Sequence, residues 1–162
     1  MDRKKELLLI SHCIINQNSV VLPLARSRGA FPIVKYLIDD GIGFIQLPCP
    51  EFQFLGLSRP SMTKDQYDTP NYRQLCRNLF MPFIKDIKNY INEGYTILGI
   101  LGIRHSPSCG ITGRQGIFIE ESLNLLKENN LDLKTYDIPE NYTETCNCME
   151  LYKEIISYYK EF

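Results

Sequence analysis

Three short apolar runs in this chain each end at a cysteine or a few residues before one. The runs and their cysteines are residues 6–12 with Cys13, residues 44–48 with Cys49, and residues 96–103 with Cys109. Apolar runs of this length, bounded by turn signals, are typical of buried strands. Because the carboxyl ends of parallel strands open onto one edge of a sheet, the three thiols are predicted to converge there although they lie far apart in sequence.

Strand-like and helix-like segments alternate along the chain. Strands are predicted over residues 6–12, 43–47, 95–103 and 131–136, and helices over residues 31–40, 70–93, 116–129 and 149–160. Residues 49–69 are predicted to form a long, ordered loop, and Pro82 to kink or split the second helix. The alternation predicts an α/β fold: a single Rossmann-like domain over residues 1–162, with a mostly parallel sheet of about four strands flanked by helices.

Composition narrows the function classes. The chain has 162 residues and a formal net charge of −1, without a basic stripe, so we expect no nucleic-acid polymer as partner. No apolar stretch approaches the roughly 20 residues of a membrane span, and the first apolar run is too short for a secretory signal. We therefore expect a cytoplasmic protein without membrane contact, either monomer or homodimer. The cytosol keeps thiols reduced, which favours metal binding or catalysis for the six cysteines.

Two short motifs carry groups suited to chemistry. Cys49-Pro50-Glu51 places a thiol and a carboxylate two residues apart at a strand end. The sequence Ser-Pro-Ser-Cys-Gly at residues 106–110 surrounds Cys109 with hydroxyls, and its backbone amides suit an anion or the sulfides of a cluster. Three thiolates can hold an iron–sulfur cluster and leave one metal position free. No G-x-G-x-x-G sequence follows the first strand, so a dinucleotide site is not predicted.

These motifs together resemble the DUF523 family, whose best-known members are the thiouracil desulfidases. The resemblance rests on Cys13, on Cys-Pro-Glu at residues 49–51 and on Ser-Pro-Ser-Cys-Gly at residues 106–110, and it covers most of the chain. It marks a divergent branch, because residues 14–19 replace a glycine-bearing stretch with an Arg-Tyr pair found in better-characterised members.

The resemblance implies a [4Fe-4S] cluster held by Cys13, Cys49 and Cys109, with one open iron. It implies catalytic roles for Glu51 and Ser106, and a reaction that converts C=S to C=O in a small thiolated compound, such as a thiouracil-like base or nucleoside, with release of sulfide. The candidate substrate-binding residues are Asn16, Arg59 and Ser108.

Other interpretations of the same thiols stay open. An open cluster also suits a dehydratase-type Lewis-acid enzyme acting on a hydroxy compound. A non-catalytic alternative is an iron–sulfur sensor, or a structural zinc site with His12 as the fourth ligand. Of the remaining cysteines, Cys76 is predicted to be a core residue, and Cys146 with Cys148 to be a weak candidate for metal binding or a disulfide.

Overall fold

A computed structural model, which describes residues 1–161, has the predicted α/β architecture with one parallel sheet. The strands are β1 (Glu6–Ile10), β2 (Gly43–Gln46), β3 (Thr96–Ile103) and β4 (Thr135–Ile138). Their order is β2-β1-β3-β4. The chain leaves β1 toward one side of the sheet and later returns to β3 on the other side. The carboxyl ends of β1 and β3 therefore border the crevice where open α/β sheets bind ligands.

Helices cover both faces of this sheet. They are α1 (His12–Ile15), α2 (Ile33–Asp39), α3 (Pro50–Leu55), α4 (Lys64–Tyr67), α5 (Pro70–Asn92), α6 (Ile117–Glu128) and α7 (Cys148–Lys160). Leu8 and Ile10 pack in the core beneath α2 and α7, whereas Leu9 packs in the core beneath α5 and α6. This alternation is the two-residue period of a strand buried on both faces. Within residues 1–161, no helix is long and apolar enough to cross a membrane.

The prediction of a long loop over residues 49–69 is wrong, because two short helices form there. Helix α3 begins directly after Cys49, whose Sγ accepts the Phe52 N–H at 3.5 Å, and Pro50 occupies its first position. Helix α4 begins with a capping box between Thr63 and Gln66. Both helices are one or two turns long, too short for hydrophobic periodicity to be visible in the sequence.

Two strand boundaries and one helix also differ from prediction. Strand β1 ends at Ile10, so Cys13 lies in α1 and not directly at the end of the strand. Strand β4 begins at Thr135, four residues later than predicted. Helix α5 continues through Pro82 without being split. Both Pro82 and Asn78, whose carbonyl loses its helical partner, are exposed, so water can satisfy that carbonyl.

Candidate functional site

A cavity of about 310 Å³ opens at the carboxyl ends of β1, β2 and β3. The three cysteines predicted to be metal ligands all line it, and so do Glu51, Ser106, Ser108 and Arg59. The structure therefore brings together seven of the eight residues that the desulfidase interpretation assigns to the cluster, to catalysis or to substrate binding. The volume of the cavity lies at the lower end of the range for small-molecule sites.

Cys13 is held by the turn that follows β1. The Ser11 N–H donates to the Leu101 carbonyl at 3.0 Å, which continues the pairing with β3 one residue past the strand. The Gln17 carboxamide then donates to the Cys13 carbonyl at 2.9 Å and accepts the Arg26 N–H at 2.9 Å. Gln17 is buried, so this bridge fixes α1 against the loop that follows it.

Cys49 and Glu51 reach the cavity from the first turn of α3. Because Cys49 is the N-cap and Pro50 the first helical residue, the backbone enters the helix in a fixed direction. The carboxylate of Glu51 lies in the first turn, where the helix dipole favours negative charge.

Cys109 lies on a loop whose shape is set by hydrogen bonds between a serine hydroxyl and backbone amides of the same loop. The Ser106 Oγ accepts the N–H groups of Ser108 and Cys109, at 3.3 and 3.0 Å. A Cβ atom on Gly116 would overlap the backbone of Ser108, so α6 begins in close contact with this loop only because that position is glycine. The Ser106 hydroxyl keeps its proton available for a group in the cavity.

The pKa values of all three thiols are raised, and partial or full burial is the main cause. Burial, reinforced by the nearby Cys49 and Glu51, raises the pKa of the Cys13 thiol to about 12. Burial also raises the pKa of Cys49, and raises that of Cys109 well above its ordinary value with help from the other two cysteines. Without a bound cation the three groups are therefore thiols at neutral pH, and binding a metal would release their protons.

The Glu51 carboxylate is held from both sides. Its Oε2 accepts the Ser108 hydroxyl at 2.8 Å, and Ser108 in turn lies 2.5 Å from the Tyr72 hydroxyl. Its Oε1 lies 3.6 Å from Nε of Arg59, whose side chain is only 4% exposed. Arg59 also donates to the carbonyls of Ser19 and Gly56, at 2.7 and 3.0 Å. Arg59 thus ties the loop after α1 to the end of α3 and to the carboxylate between them.

The donor set fits an iron–sulfur cluster better than a single ion. No group of three His, Cys, Asp or Glu side chains in the described part of the chain could hold one metal ion. In a cluster each thiolate binds a different iron, so its ligands need not meet at one point. Three thiols on three separate elements around one cavity are such a set. His12, the candidate fourth zinc ligand, does not line the cavity.

Asn16 does not line the cavity, although it was predicted to bind substrate. Its carboxamide oxygen accepts the Asn18 N–H at 3.1 Å and caps a short 3-10 turn. The neighbouring Gln17 lines the cavity in its place. Asn and Gln in adjacent positions are equally suited to polar contacts, so the sequence could not distinguish which one turns inward.

The other cysteines lie outside the cavity lining. Cys76 is fully buried in the core beneath α5, as predicted. Cys146 and Cys148 are both free thiols. The Cys148 thiol lies 3.2 Å from the buried Tyr142 hydroxyl, whereas Cys146 accepts the Thr143 N–H at 3.1 Å.

Comparison with known proteins shows a relative of this chain. A protein of Methanocaldococcus jannaschii, described as "Uncharacterized protein MJ0003", is 41% identical to this chain over 138 residues, which are 85% of this chain and 88% of the relative. No family model matches the chain, and no solved structure matches it significantly.

Proposed function

We propose that this protein, which belongs to the same family as MJ0003 of Methanocaldococcus jannaschii, is an iron–sulfur-dependent desulfidase. The proposed reaction converts C=S to C=O in a small thiolated compound, such as a thiouracil-like base or nucleoside. Water supplies the oxygen, and the sulfur leaves as hydrogen sulfide, so no electrons are gained or lost. We place the reaction in the cytoplasm, where thiols remain reduced.

One observation carries the proposal: three thiols, each from a segment that follows a different strand, line the same cavity as a carboxylate. Cys13, Cys49 and Cys109 would hold a [4Fe-4S] cluster. When bound, a cluster with three protein ligands supplies an iron that accepts the substrate sulfur as a Lewis acid. The motif resemblance of residues 49–51 and 106–110 to the thiouracil desulfidases supports the same assignment.

The remaining groups of the cavity have roles that follow from their positions. Glu51 is the proposed general base, which takes a proton from the attacking water, because its carboxylate lies at the cavity and is fixed by Ser108 and Arg59. Ser106 is the proposed donor to the reacting group, because its oxygen already accepts two amides and its proton is free to point inward. Val20 and Ile103 supply apolar wall for a planar ring.

Metal content is the first test. Protein purified without oxygen is expected to contain about four irons and about four acid-labile sulfides per chain, the composition of one [4Fe-4S] cluster, and to absorb at about 400 nm. The Cys49→Ala variant is expected to lose all three signals, whereas Cys146→Ala, which removes a cysteine outside the cavity, keeps them. A colourless protein that resists anaerobic reconstitution would reject the cluster and the desulfidase mechanism.

Substitution of the proposed base tests turnover separately from cluster binding. Glu51→Gln preserves size and removes the negative charge, so we expect unchanged iron content and a fall in sulfide release of about 10²- to 10⁴-fold. Sulfide released from thiolated pyrimidines is the measurement, and Glu128→Gln, an exposed change on α6, is the charge-matched control. A fully active Glu51→Gln protein would contradict the role. Turnover of a hydroxy acid without sulfide release would instead favour the dehydratase-type alternative.

A further inference from the structure

Tyr72 forms the far end of a hydrogen-bonded chain that reaches Glu51. Its hydroxyl lies 2.5 Å from the Ser108 Oγ, and the Ser108 hydroxyl donates to Glu51 Oε2 at 2.8 Å. A serine hydroxyl has one proton, and here Glu51 receives it. The Tyr72 hydroxyl must therefore be the donor to Ser108, which gives the chain a single direction, from Tyr72 through Ser108 to the carboxylate.

Two contacts and burial of the ring fix Tyr72, the start of this hydrogen-bonded chain. The Tyr72 N–H donates to the Oγ1 of Thr69, the N-cap of α5, at 3.2 Å, so the residue lies in the first turn of the longest helix. Its ring is fully buried and packs against Phe54 of α3, with ring centroids 5.1 Å apart. Because α3 also carries Glu51, the tyrosine fixes both the carboxylate and the helix that presents it.

We infer that Tyr72 is a positioning residue, which orients the Glu51 carboxylate through Ser108. The inference rests on the proposed function. Tyr72 does not line the cavity, so it cannot contact a substrate there. Ser108 by itself is a hydroxyl that can rotate, and the donation from Tyr72 removes that freedom by occupying its acceptor side. Donors in a chain also strengthen one another, which favours one orientation of the carboxylate.

The first test uses the cluster-free protein and needs no activity. The unfolding equilibrium constant is measured in urea for the wild type, Tyr72→Phe, Glu51→Gln and the double variant. The Tyr72 hydroxyl, which Tyr72→Phe removes, reaches Glu51 through Ser108. The effects of the two substitutions multiply if each residue acts alone. If the two residues act through one hydrogen-bonded chain, the change in the unfolding constant of the double variant differs from that product by about threefold or more. This is the lower range for groups in one network. Agreement with the product within the error of measurement would overturn the inference.

The second test uses the cluster-loaded protein. Tyr72→Phe is expected to leave iron content and KM unchanged and to lower kcat for sulfide release about ten- to hundredfold, as expected for a small misplacement of a reacting group. Tyr159→Phe is the matched control. It also removes a buried tyrosine hydroxyl, which donates to the Ile100 carbonyl at 2.5 Å, but on the opposite face of the sheet. We expect it to lower stability and to leave kcat unchanged.

The outcomes separate this inference from the proposed function. An active wild type whose kcat does not change in Tyr72→Phe would overturn the positioning role. Equal losses of kcat in Tyr72→Phe and Tyr159→Phe would also overturn it, because the loss would then follow stability alone. If the wild type releases no sulfide, the proposed function fails, and the unfolding cycle alone decides whether Tyr72 acts on Glu51.

Discussion

The buried carboxylate of Asp137 fixes the segment that follows Cys109. Its two oxygens accept the Ile111 N–H at 3.0 and 3.1 Å, and one of them accepts the Thr112 N–H at 2.6 Å. Asp137 is 6% exposed, so its carboxylate depends on these amides for hydrogen bonds. The residue therefore acts on the site from the strand end of β4, without lining the cavity.

Replacing this carboxylate by an amide tests its importance. Asp137→Asn turns one acceptor into a donor that faces the Ile111 and Thr112 amides, so we expect the free energy of unfolding to fall by about 1.5 to 3 kcal/mol. Urea unfolding of the cluster-free protein measures this. Asp132→Asn, an exposed change three residues from β4, is expected to stay within about 0.5 kcal/mol of the wild type. Equal stability of Asp137→Asn and wild type would show that the two amides find other partners.

Single residues divide into those that the sequence could reveal and those that it could not. Cys13, Cys49 and Cys109 were visible because each follows an apolar run, and Glu51 because it adjoins one of them. Tyr72 acts through a partner 36 residues away in the sequence. Asp137 acts through two partners that are 25 and 26 residues away. No local pattern marks such pairings, because they depend on how α5 and β4 pack against the loop around Cys109.

Among the helices, length decided which could be predicted. The long helices α5, α6 and α7 agree with prediction within one or two residues, because each repeats its apolar face over several turns. The short helices α3 and α4 left only capping signals. For α4 the signal was present, since Thr63 and Gln66 have the spacing of a capping box. The shift of β4 has a different cause: Leu131 and Leu133 pack in the core beneath α5 and α6 before the strand begins, so their apolar pattern resembles a strand.

Across the whole molecule, the parallel sheet separates two charged regions. The cavity lies at the carboxyl ends of the strands, and a network of four charged side chains lies at the amino ends. Lys4 contacts Asp40 at 2.7 Å and Glu6 at 3.2 Å, and Lys160 contacts Glu6 at 3.2 Å and Asp40 at 3.5 Å. These contacts join the beginning of β1, the end of α2 and the end of α7, which are far apart in the chain.

This network predicts a pH dependence of stability that is independent of the candidate site. Burial acts to raise the pKa of Asp40, but the hydrogen bond from Lys4 and the charge of Lys160 outweigh it, and the pKa is lowered. A carboxyl whose pKa is lower in the folded state adds stability above its unfolded pKa of about 4, and that stability is lost as the pH falls through the folded value. Because the side chains are partly exposed, we expect a contribution of about 1 kcal/mol or less.

The measurement is urea unfolding of cluster-free protein from pH 7 down to pH 2 at low salt. Asp40→Asn is expected to be less stable than the wild type at pH 7. The difference should shrink as the pH falls from about 4 through the folded pKa of Asp40, and it should also shrink in 1 M salt because the network is screened. Asp39→Asn, which removes the adjacent and more exposed carboxylate that pairs with Lys35 at 2.7 Å on its own helix, is the control for loss of a carboxylate that does not belong to the four-residue network. A difference between Asp40→Asn and wild type that persists at pH 2 would mean that Asp40 acts through packing or neutral hydrogen bonds, and not through the charges that join the two ends of the chain.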